Sequence, residues 1–410
     1  MVFIYYVLFL IILLYGLYFL LTGFWAFIKN KHKIGNYESK NKFAVLIAAR
    51  NEEVVIGSLV ESLKKQNYPK DLYETIVLVN NSNDNTDKAA KKAGATVINV
   101  DVPVKSKGDV LKYAFDKYKD SDFDAYVIFD ADNVVHPDFL KRMNDTIESG
   151  YEVAEGFRDS KNFDDNWLSG CYTLFYYIQN FFFNKSRMNV GLSGSINGTG
   201  FMVKRETINR NGFNPVTLTE DIEFTAMCAL NHTKIAFVED AITYDEQPVV
   251  FKDSWKQRKR WSMGCLQCCK TYDAKLFKEF LKTGNVSCLD MALVFLAPIF
   301  QIISFIQVIL LNVFHFAGVQ LYDIFSYLFA SGIFFFALLY ISGTLTSIFV
   351  LVYNKKKLRR VVGGIILFAV FILSWIPINI VCLIKRNINW EPIKHNRDVK
   401  LDNIISDKKA

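Results

Sequence analysis

The chain has 410 residues, of which 51% are hydrophobic and 22% are charged, and it contains 36 Phe and 20 Tyr. The low charge and the high aromatic content exclude a disordered chain and a nucleic-acid-binding tail. The net charge of +7 comes from 48 basic and 41 acidic residues. Because the basic residues collect beside apolar runs, we predict no nucleic-acid partner.

Four runs contain no Asp, Glu, Lys or Arg and cover 1–28, 291–322, 324–354 and 361–384. About 20 apolar residues cross the hydrocarbon core of a bilayer, so each run is long enough to span it. The first run lacks a basic N-terminal region and a small-residue cleavage site, which predicts an uncleaved membrane anchor. The sequence therefore predicts an integral membrane protein in contact with the lipid bilayer.

Basic residues follow the apolar runs, with three lysines after the first run and a Lys-Arg cluster after the third. This bias predicts a multi-pass protein of the plasma membrane whose large domain is cytoplasmic and whose N-terminus is outside. Four full crossings would leave the basic tail, 385–410, outside. The last run carries two adjacent glycines and Pro377. We therefore predict two transmembrane helices in 291–354, an interfacial, re-entrant or transmembrane hairpin in 355–384, and a cytoplasmic tail.

Between the first anchor and the later runs, the segment 29–250 alternates between short apolar runs and stretches with helical spacing. Predicted strands cover 43–48, 75–79, 96–100 and 126–129, and predicted helices cover 54–66, 86–93 and 106–118. Alternation at this length predicts a parallel sheet with helices on both faces. Ligands of such sheets bind beyond the carboxyl ends of the strands, so residues at those ends are the candidates for function.

The predicted strand ends are polar. The first strand leads to R-N-E-E, which contains Glu52, and the third leads to K-S-K, which contains Lys107. No G-x-G-x-x-G follows the first strand, and the sequence contains no G-x-x-x-x-G-K-[ST]. These absences argue against a dinucleotide redox cofactor and against a P-loop ATPase.

The fourth predicted strand leads to D-A-D-N, which contains Asp130 and Asp132. Acids at this spacing place both carboxylates on the same side of an extended segment. Their oxygens suit Mg²⁺ or Mn²⁺ shared with substrate phosphates. The pair is therefore a candidate metal site, and a solvated turn is the alternative interpretation.

Two later motifs also admit two interpretations each. T-E-D at 219–221 precedes an apolar helical stretch, so it caps that helix, provides Asp221 as a general base, or does both, because a base at a helix start is held rigidly. Q-R-K-R-W at 257–261 lies in 251–290, where we predict amphipathic interface helices. Its basic residues either face a membrane surface or bind a diphosphate through arginine, which offers planar bidentate donors beside an aromatic platform.

D-A-D, T-E-D and Q-R-K-R-W, in this order and followed by membrane spans, resemble the processive family-2 glycosyltransferases. This group includes the cellulose, hyaluronan, chitin and poly-N-acetylglucosamine synthases. The resemblance runs from Phe43 to Trp261 and continues into the apolar C-terminal part. It implies an α/β GT-A domain, doubly wound and nucleotide-sugar-binding, joined to an α-helical transmembrane region and supplied with a UDP-sugar donor.

The resemblance also implies a role for each matching residue. Asp130 and Asp132 would hold Mg²⁺ or Mn²⁺ and the UDP phosphates, and Asp221 would take the proton from the acceptor hydroxyl. The implied substrate-binding residues are Glu52, Lys107, Glu220, Gln257, Arg258, Arg260, Trp261 and Trp390. Among them, the two arginines would steady the leaving diphosphate, Trp261 would stack on the acceptor's terminal sugar, and Trp390 would cap the donor. For Trp390, anchoring of the tail at the membrane surface is the alternative.

Three functions stay open. The first is processive, inverting synthesis of a β-linked glucan (β-1,4, mixed or β-1,3) from UDP-glucose onto a growing β-glycan, with export across the membrane and room for an accessory export subunit. The second is non-processive glycolipid synthesis of the glucosylceramide type, and a UDP-N-acetylglucosamine-using polysaccharide synthase is a further alternative. The third is a non-catalytic scaffold. Gln257 and Trp390 favour the first function. Asn80 and Asn81 stand where the family carries an acidic residue, so the contacts to the uracil of the donor stay open.

Overall fold

The computed structural model describes residues 2–30, 32–318, 332–385 and 395–409. Its α/β domain contains a single eight-stranded sheet with the order β3-β2-β1-β4-β7-β6-β8-β5. In chain order, the strands are β1 (Phe43–Ala49), β2 (Tyr73–Val79), β3 (Thr96–Asn99), β4 (Ala125–Asp130), β5 (Val134–Val135), β6 (Val153–Ser160), β7 (Phe201–Lys204) and β8 (Ile235–Asp245).

The first half of the sheet is parallel, as the sequence predicts. β1 pairs in parallel with β2 and β4, which places Ala48 beside Asp130. The second half differs, because β7 runs antiparallel to both β4 and β6. The chain reaches β7 through Gly198, whose carbonyl oxygen accepts a hydrogen bond from Lys107 at the carboxyl edge. Since β7 starts from that edge it must run back across the sheet, and the sheet is mixed rather than wholly parallel.

Helices cover both faces of the sheet. In chain order, the helices are α1 (Val2–Gly23), α2 (Ile56–Lys64), α3 (Thr86–Ala93), α4 (Lys107–Tyr118), α5 (Phe139–Glu148), α6 (Trp167–Ile178), α7 (Ser186–Asn189), α8 (Arg205–Asn211), α9 (Glu220–Leu230), α10 (Phe251–Thr283), α11 (Val286–Phe295), α12 (Ala297–Phe316), α13 (Gly332–Tyr353), α14 (Val362–Leu373), α15 (Trp375–Ile384) and α16 (Leu401–Lys409). Alternate side chains of β1 divide between the two cores: Phe43, Val45 and Ile47 pack with α2, α5 and α6, whereas Ala44 and Leu46 pack with α4 and α9.

Four helices of the described residues are long and apolar enough to cross a membrane: Val2–Phe27, Ala297–Phe316, Phe336–Tyr353 and Val362–Ile384. Each lies in one of the four uncharged runs. The segment 251–290, where amphipathic interface helices are predicted, contains one long helix, α10, and the beginning of α11.

The last apolar run is a helix with a single break rather than the hairpin expected in 355–384. Ser374 separates α14 from α15 and keeps helical backbone angles (φ −65°, ψ −9°). Pro377 has no N–H to donate to the carbonyl oxygen of Leu373, which explains a break at this level. The run therefore continues in the same direction and does not reverse.

Both ends of this run contact the α/β domain. Near its start, Gly364 packs so closely on Gly170 of α6 that a Cβ on Gly364 would lie 2.9 Å from backbone carbon. Near its end, Cys382 Sγ lies 3.4 Å from the carbonyl oxygen of Lys259. These contacts fit an interfacial position of the run, which stays a prediction.

The described part of the tail also returns to the α/β domain. Leu401 is buried against Val134 and Tyr244, and Ser58 donates a hydrogen bond to the Asp398 carboxylate. The tail therefore lies on the same side of the membrane helices as the sheet. An interfacial rather than spanning position of 362–384 is consistent with that arrangement.

A buried ion pair joins the first membrane helix to the rest of the protein. Arg187 is fully buried, and its guanidinium lies 2.8 Å from the carboxylate of Asp290. Tyr18 of α1 donates to the same carboxylate at 2.8 Å, and Arg187 donates to the Thr22 hydroxyl at 3.1 Å. Because the pair is fully hydrogen-bonded, removal of one partner would leave an uncompensated charge in the interior.

We expect Asp290→Asn to lower the thermal unfolding midpoint of the detergent-solubilised protein by several degrees. Breaking a buried ion pair on one side costs about 3–5 kcal/mol, and the measurement is a thermal melt followed by tryptophan fluorescence. Asp122→Asn is the matched control, because Asp122 is 74% exposed beside Lys42 and such a pair contributes about 0–1 kcal/mol. Equal midpoints for the two variants would contradict the anchoring role.

Candidate active site

A polar cavity of about 200 Å³ lies at the carboxyl edge of β1, β2 and β4. We call it the edge cavity. Its lining includes most of the predicted donor-binding residues: Glu52, Lys107, Asp130, Asp132, Gln257 and Arg260. The parallel register of β1 and β4 brings the residues that follow these two strands to one place. The structure therefore gathers residues that are far apart in the sequence.

Lys107 is held at the start of α4 by a capping box. The hydroxyl of Ser106 accepts from the Asp109 amide, and the Asp109 side chain accepts from the Ser106 amide. The Lys107 ammonium forms an ion pair with Asp130 and donates to the Gly198 carbonyl oxygen at 2.6 Å. Burial would lower the pKa of Lys107, but Asp130 and nearby acids outweigh it and raise that pKa. The lysine is thus a permanent cation at the edge.

Asp132 is buried, and its carboxylate accepts a hydrogen bond from the Glu246 amide at 3.1 Å. Burial and the neighbouring carboxylate of Asp245 raise the pKa of Asp132 well above its usual range. A bound cation would relieve this repulsion, so the chemistry of Asp130 and Asp132 fits a divalent ion. The described residues contain no group of three or more His, Cys, Asp or Glu placed to hold a metal. Further ligands would therefore have to come from substrate oxygens.

A second cavity, of about 360 Å³, adjoins the first and shares Lys107, Asp130, Gln257 and Arg260 with it. We call it the deep cavity. Asp221 lines it from the first turn of α9. The Thr219 side chain makes no capping hydrogen bond, but the Asp221 carboxylate accepts a hydrogen bond from the Ile222 amide in the first turn. Burial raises the pKa of Asp221, as it does that of Glu220.

The approach of Asp221 to the sheet edge depends on a glycine. Gly198 has φ +88°, and a Cβ at this position would lie 3.0 Å from Asp221 Oδ2. Gly198 also accepts the hydrogen bond of Lys107 through its carbonyl oxygen. It therefore lies close both to Asp221, the candidate base, and to the lysine of the Asp130–Lys107 pair. The structure thus places Asp221 next to the edge cavity.

α10 presents Gln257, Arg260 and Trp261 to the two cavities. Residues three and four apart share one face of a helix, which explains why these side chains act together. The ring of Trp261 is nearly parallel to the rings of Phe175 and Trp375, with centroids 6.4 Å apart in each case. An aromatic wall therefore flanks the deep cavity.

Arg258 faces away from both cavities, which corrects the interpretation of this residue as a diphosphate ligand. It is completely buried, donates to the Phe371 carbonyl oxygen at 3.1 Å and the Ser374 hydroxyl at 2.6 Å, and stacks over the Trp375 ring at 5.0 Å. One residue along a helix is a rotation of about 100°. The arginine next to Gln257 therefore points into the packing with α14 and α15.

The sequence analysis missed Arg158, which lines both cavities. Its guanidinium forms a buried ion pair with Asp245, donates to the Asn197 carbonyl oxygen at 2.7 Å and lies 4.1 Å from the Tyr176 ring centroid. The sequence feature that could have indicated Arg158 is the presence of charged residues inside the buried strand β6. Arg158 adds a fixed cation to the boundary between the cavities.

The tail contributes His395 to the edge cavity. Its Nδ1 lies 2.9 Å from Glu52 Oε1. Burial would lower the pKa of His395, but Asp132 and Glu52 raise it to about 10. Trp390, the tail residue predicted to cap the donor, lies outside the described residues.

The far wall of the deep cavity is apolar and belongs to the membrane helices. It includes Val294, Pro298, Ile372 and Trp375, with two amide side chains, Gln301 and Asn379. A further groove of about 180 Å³ shares Gln301 and Ile372 with this wall and is otherwise lined mainly by apolar residues of α1, α12, α13 and the last run. We call it the membrane groove. The three spaces thus lie next to one another between the sheet edge and the apolar helices.

This fold gathers acidic and basic side chains at the carboxyl edge of a sheet, where ligands of such sheets bind. The model of the family "Glycosyltransferase like family 2" matches residues 40–264, and the chain belongs to this family of enzymes. Membership of its processive branch stays a prediction.

Curated relatives and a solved structure agree with this assignment. A probable glycosyltransferase, YdaM, of Bacillus subtilis is 29% identical over 65% of this chain and 66% of its own. A β-monoglucosyldiacylglycerol synthase of Synechocystis sp. is 25% identical over 54% of this chain and 47% of its own. The chain thus spans about half to two thirds of these relatives' lengths. The structure of the mannosyltransferase PcManGT from Pyrobaculum calidifontis, in complex with GDP-Man and Mn²⁺, shares the fold with a TM-score of 0.61 at 15% identity and covers 93% of this chain and 97% of its own.

Replacement of each of the two arginines of α10 by methionine should affect a different property of the enzyme, stability in one case and transfer in the other. Arg258→Met removes the hydrogen bonds of the guanidinium to the Phe371 carbonyl oxygen and the Ser374 hydroxyl, at a cost of about 1–3 kcal/mol, and should lower the thermal midpoint. Arg260→Met should keep the midpoint and reduce sugar transfer about tenfold or more, since a charge-assisted contact in the edge cavity is lost. Thermal melts and initial rates on both variants check this, and the reverse ranking would contradict the assigned orientations.

Proposed function

We propose that this enzyme transfers a hexose, with glucose as the best candidate, from a UDP-sugar to the hydroxyl group of a membrane lipid. The observation that carries the proposal is that the deep cavity, which Asp221 lines, shares Gln301 and Ile372 with the membrane groove among the apolar helices. A lipid acceptor would place its hydroxyl beside Asp221 and its hydrocarbon chains among the membrane helices. The names of the relatives that act on diacylglycerol support this choice.

The apolar side chains that line the deep cavity and the membrane groove favour a lipid acceptor over a growing glycan. Each sugar of a glycan carries several hydroxyl groups, and burying an unpaired hydroxyl against apolar side chains is unfavourable. Val294, Ala297 and Ile372 offer no hydrogen bond along this wall. An acyl or alkyl chain, by contrast, gains free energy from the same surface.

The donor would lie in the edge cavity, against Glu52 and Lys107. Asp130 and Asp132 would hold Mg²⁺ or Mn²⁺, which when bound neutralises charge on the diphosphate. Arg260 lines the same cavity and would stabilise the charge that develops on the leaving UDP. The basic tail, with His395 and by extension Trp390, would close the cavity over the donor.

The acceptor would react from the deep cavity. Asp221 would remove the hydroxyl proton as the acceptor oxygen bonds to the anomeric carbon and the bond from that carbon to the UDP oxygen breaks. Attack opposite the leaving UDP inverts an α-linked donor to a β-linked product. Glu220 and Gln257 line the same cavity and would orient the reacting groups. The positive bias beside the apolar runs supports a cytoplasmic active site.

Processive synthesis of a β-glucan is the second candidate, and one observation favours it. Trp261 stands in an aromatic wall with Phe175 and Trp375, a surface on which a terminal sugar could stack. On this alternative, the acceptor is a growing β-glycan that leaves past the membrane helices, with or without an export subunit. The product distinguishes the two candidates.

We expect Asp221→Asn to bind UDP as tightly as the natural enzyme and to lose at least about a hundredfold in transfer, because an amide cannot accept the proton. UDP binding is measured by calorimetry and transfer by UDP release. Burial raises the pKa of Asp221, so the natural enzyme should lose activity on acidification at a pH above the usual range of an aspartate. Retained turnover in the variant would remove Asp221 as the base.

The product assay uses the full chain in lipid nanodiscs that contain dioleoylglycerol, with Mg²⁺ or Mn²⁺ and a panel of UDP-sugars. We expect UDP release with UDP-glucose and an organic-extractable product with one sugar, which a β-glucosidase removes. A long, water-soluble or insoluble product that a glucanase digests would overturn the lipid proposal and select the polymerase. The Asp221→Asn variant is the blank for both products.

A further inference from the structure

Three consecutive apolar side chains are exposed at the start of α10. Within the described part of the chain, Val249, Val250 and Phe251 are 40%, 52% and 43% exposed. The two valines precede the helix, and Phe251 is its first residue. A single exposed apolar side chain is ordinary, whereas a contiguous group of them indicates a contact surface. We call these three residues the apolar loop.

The apolar loop is held in place by the beginning of α6. Asn166, the N-cap residue of that helix, donates from its side-chain amide to the Val249 carbonyl oxygen at 2.8 Å. The next residue, Trp167, packs its ring on the Phe251 ring, with centroids 6.4 Å apart and planes inclined by 27°. The α/β domain therefore supports the loop from behind, and the loop presents its side chains outward.

The same tryptophan connects the apolar loop to the last apolar run. A Cβ on Gly363, near the start of α14, would lie 3.2 Å from the Cβ of Trp167. α14 exposes Val362, Ile366 and Val370, which follow one another at intervals of four and share one face of the helix. The apolar loop thus lies beside a helix whose exposed side chains are suited to lipid.

The charges around the apolar loop fit a membrane surface. Asp164, close to Trp167 in the sequence, forms an ion pair with Arg360, and the Asp253 carboxylate lies 3.9 Å from the Lys256 ammonium. These two carboxylates are therefore offset by cations. Lys252, which directly follows the loop, is exposed. A lysine next to apolar side chains suits the negative headgroups of anionic lipids.

Most of α10 is not arranged as a membrane contact. Phe251 and Leu281 are the exposed large apolar side chains of this helix. Arg258 is buried in the packing with the last apolar run, and Gln257 and Trp261 line the cavities. A contact between this part of the protein and lipid would therefore be made by the loop before α10 and by its first residue.

We propose that the apolar loop and Trp167 insert into the bilayer surface on the side of the α/β domain. The valines and Phe251 would reach the boundary between headgroups and acyl chains, a depth of about 5–10 Å. Trp167 would lie at the interface, where tryptophan is enriched. Because α10 starts at this contact and carries Gln257 and Arg260, the contact would fix the level of the active site above the membrane.

The test measures where position 250 lies. Val250→Cys is labelled with bimane in the full chain, reconstituted in nanodiscs of phosphatidylcholine and phosphatidylglycerol. A phospholipid with a nitroxide on its acyl chain near the headgroup quenches labels in the membrane, and iodide quenches labels in water. The natural chain, labelled in parallel, gives the background from its own seven cysteines, six of which are buried.

Val102→Cys is the matched control, because Val102 is 43% exposed in the loop between β3 and α4. We expect the nitroxide lipid to quench the label at 250 about twofold or more strongly than the label at 102, since the former lies at acyl-chain depth. Iodide should quench the two labels in the reverse order. If Val250→Cys fails to fold in a thermal melt, Val249→Cys is measured in its place.

Each outcome decides the proposal. Quenching by iodide without quenching by the nitroxide lipid at 250 would overturn it, because the loop would then face water. Protection from both quenchers would also overturn it and would indicate that another protein segment or a second copy of the chain covers the loop. The measurement requires no sugar transfer, so its result does not depend on the proposed acceptor.

Discussion

One buried side chain, Arg258, connects α10 to the last apolar run. Its guanidinium donates to the carbonyl oxygen of Phe371 and to Ser374, at the point where the last apolar run is broken. A buried guanidinium is unfavourable unless it is hydrogen-bonded, so these contacts favour the observed rotation of the helix. With Arg258 directed into the apolar helices, Gln257, Arg260 and Trp261 line the cavities. The active site thus depends on a residue that does not touch it.

The apolar helices also supply part of the lining of the deep cavity. The edge cavity is polar because it collects the ends of parallel strands, whereas the deep cavity is apolar where α12, α14 and α15 form its wall. Asp221 lies between these two environments. A donor with a charged diphosphate and an acceptor with hydrocarbon chains would each meet the surface that suits its chemistry.

Two further connections hold the catalytic domain against the membrane helices. The Arg187–Asp290 pair joins α1, α7 and α11, and the tail lies across the sheet edge through His395 and Leu401. The tail contact places the described tail residues beside the α/β domain, which is consistent with the predicted interfacial position of 362–384.

The sequence by itself determined the local elements and the candidate groups. Apolar runs between polar turns predicted β1 to β4 and α2 to α4 within a few residues, and the uncharged runs predicted the membrane helices, because both signals are short-range patterns of burial. Tertiary structure decided the rest. Periodicity does not report which helix covers Arg258, how β7 re-enters the sheet or which residues of α12 and α15 wall the cavity. Arg158, His395, Gln301 and Asn379 reach the site through contacts between segments far apart in the chain, and those contacts exist only once the fold has formed.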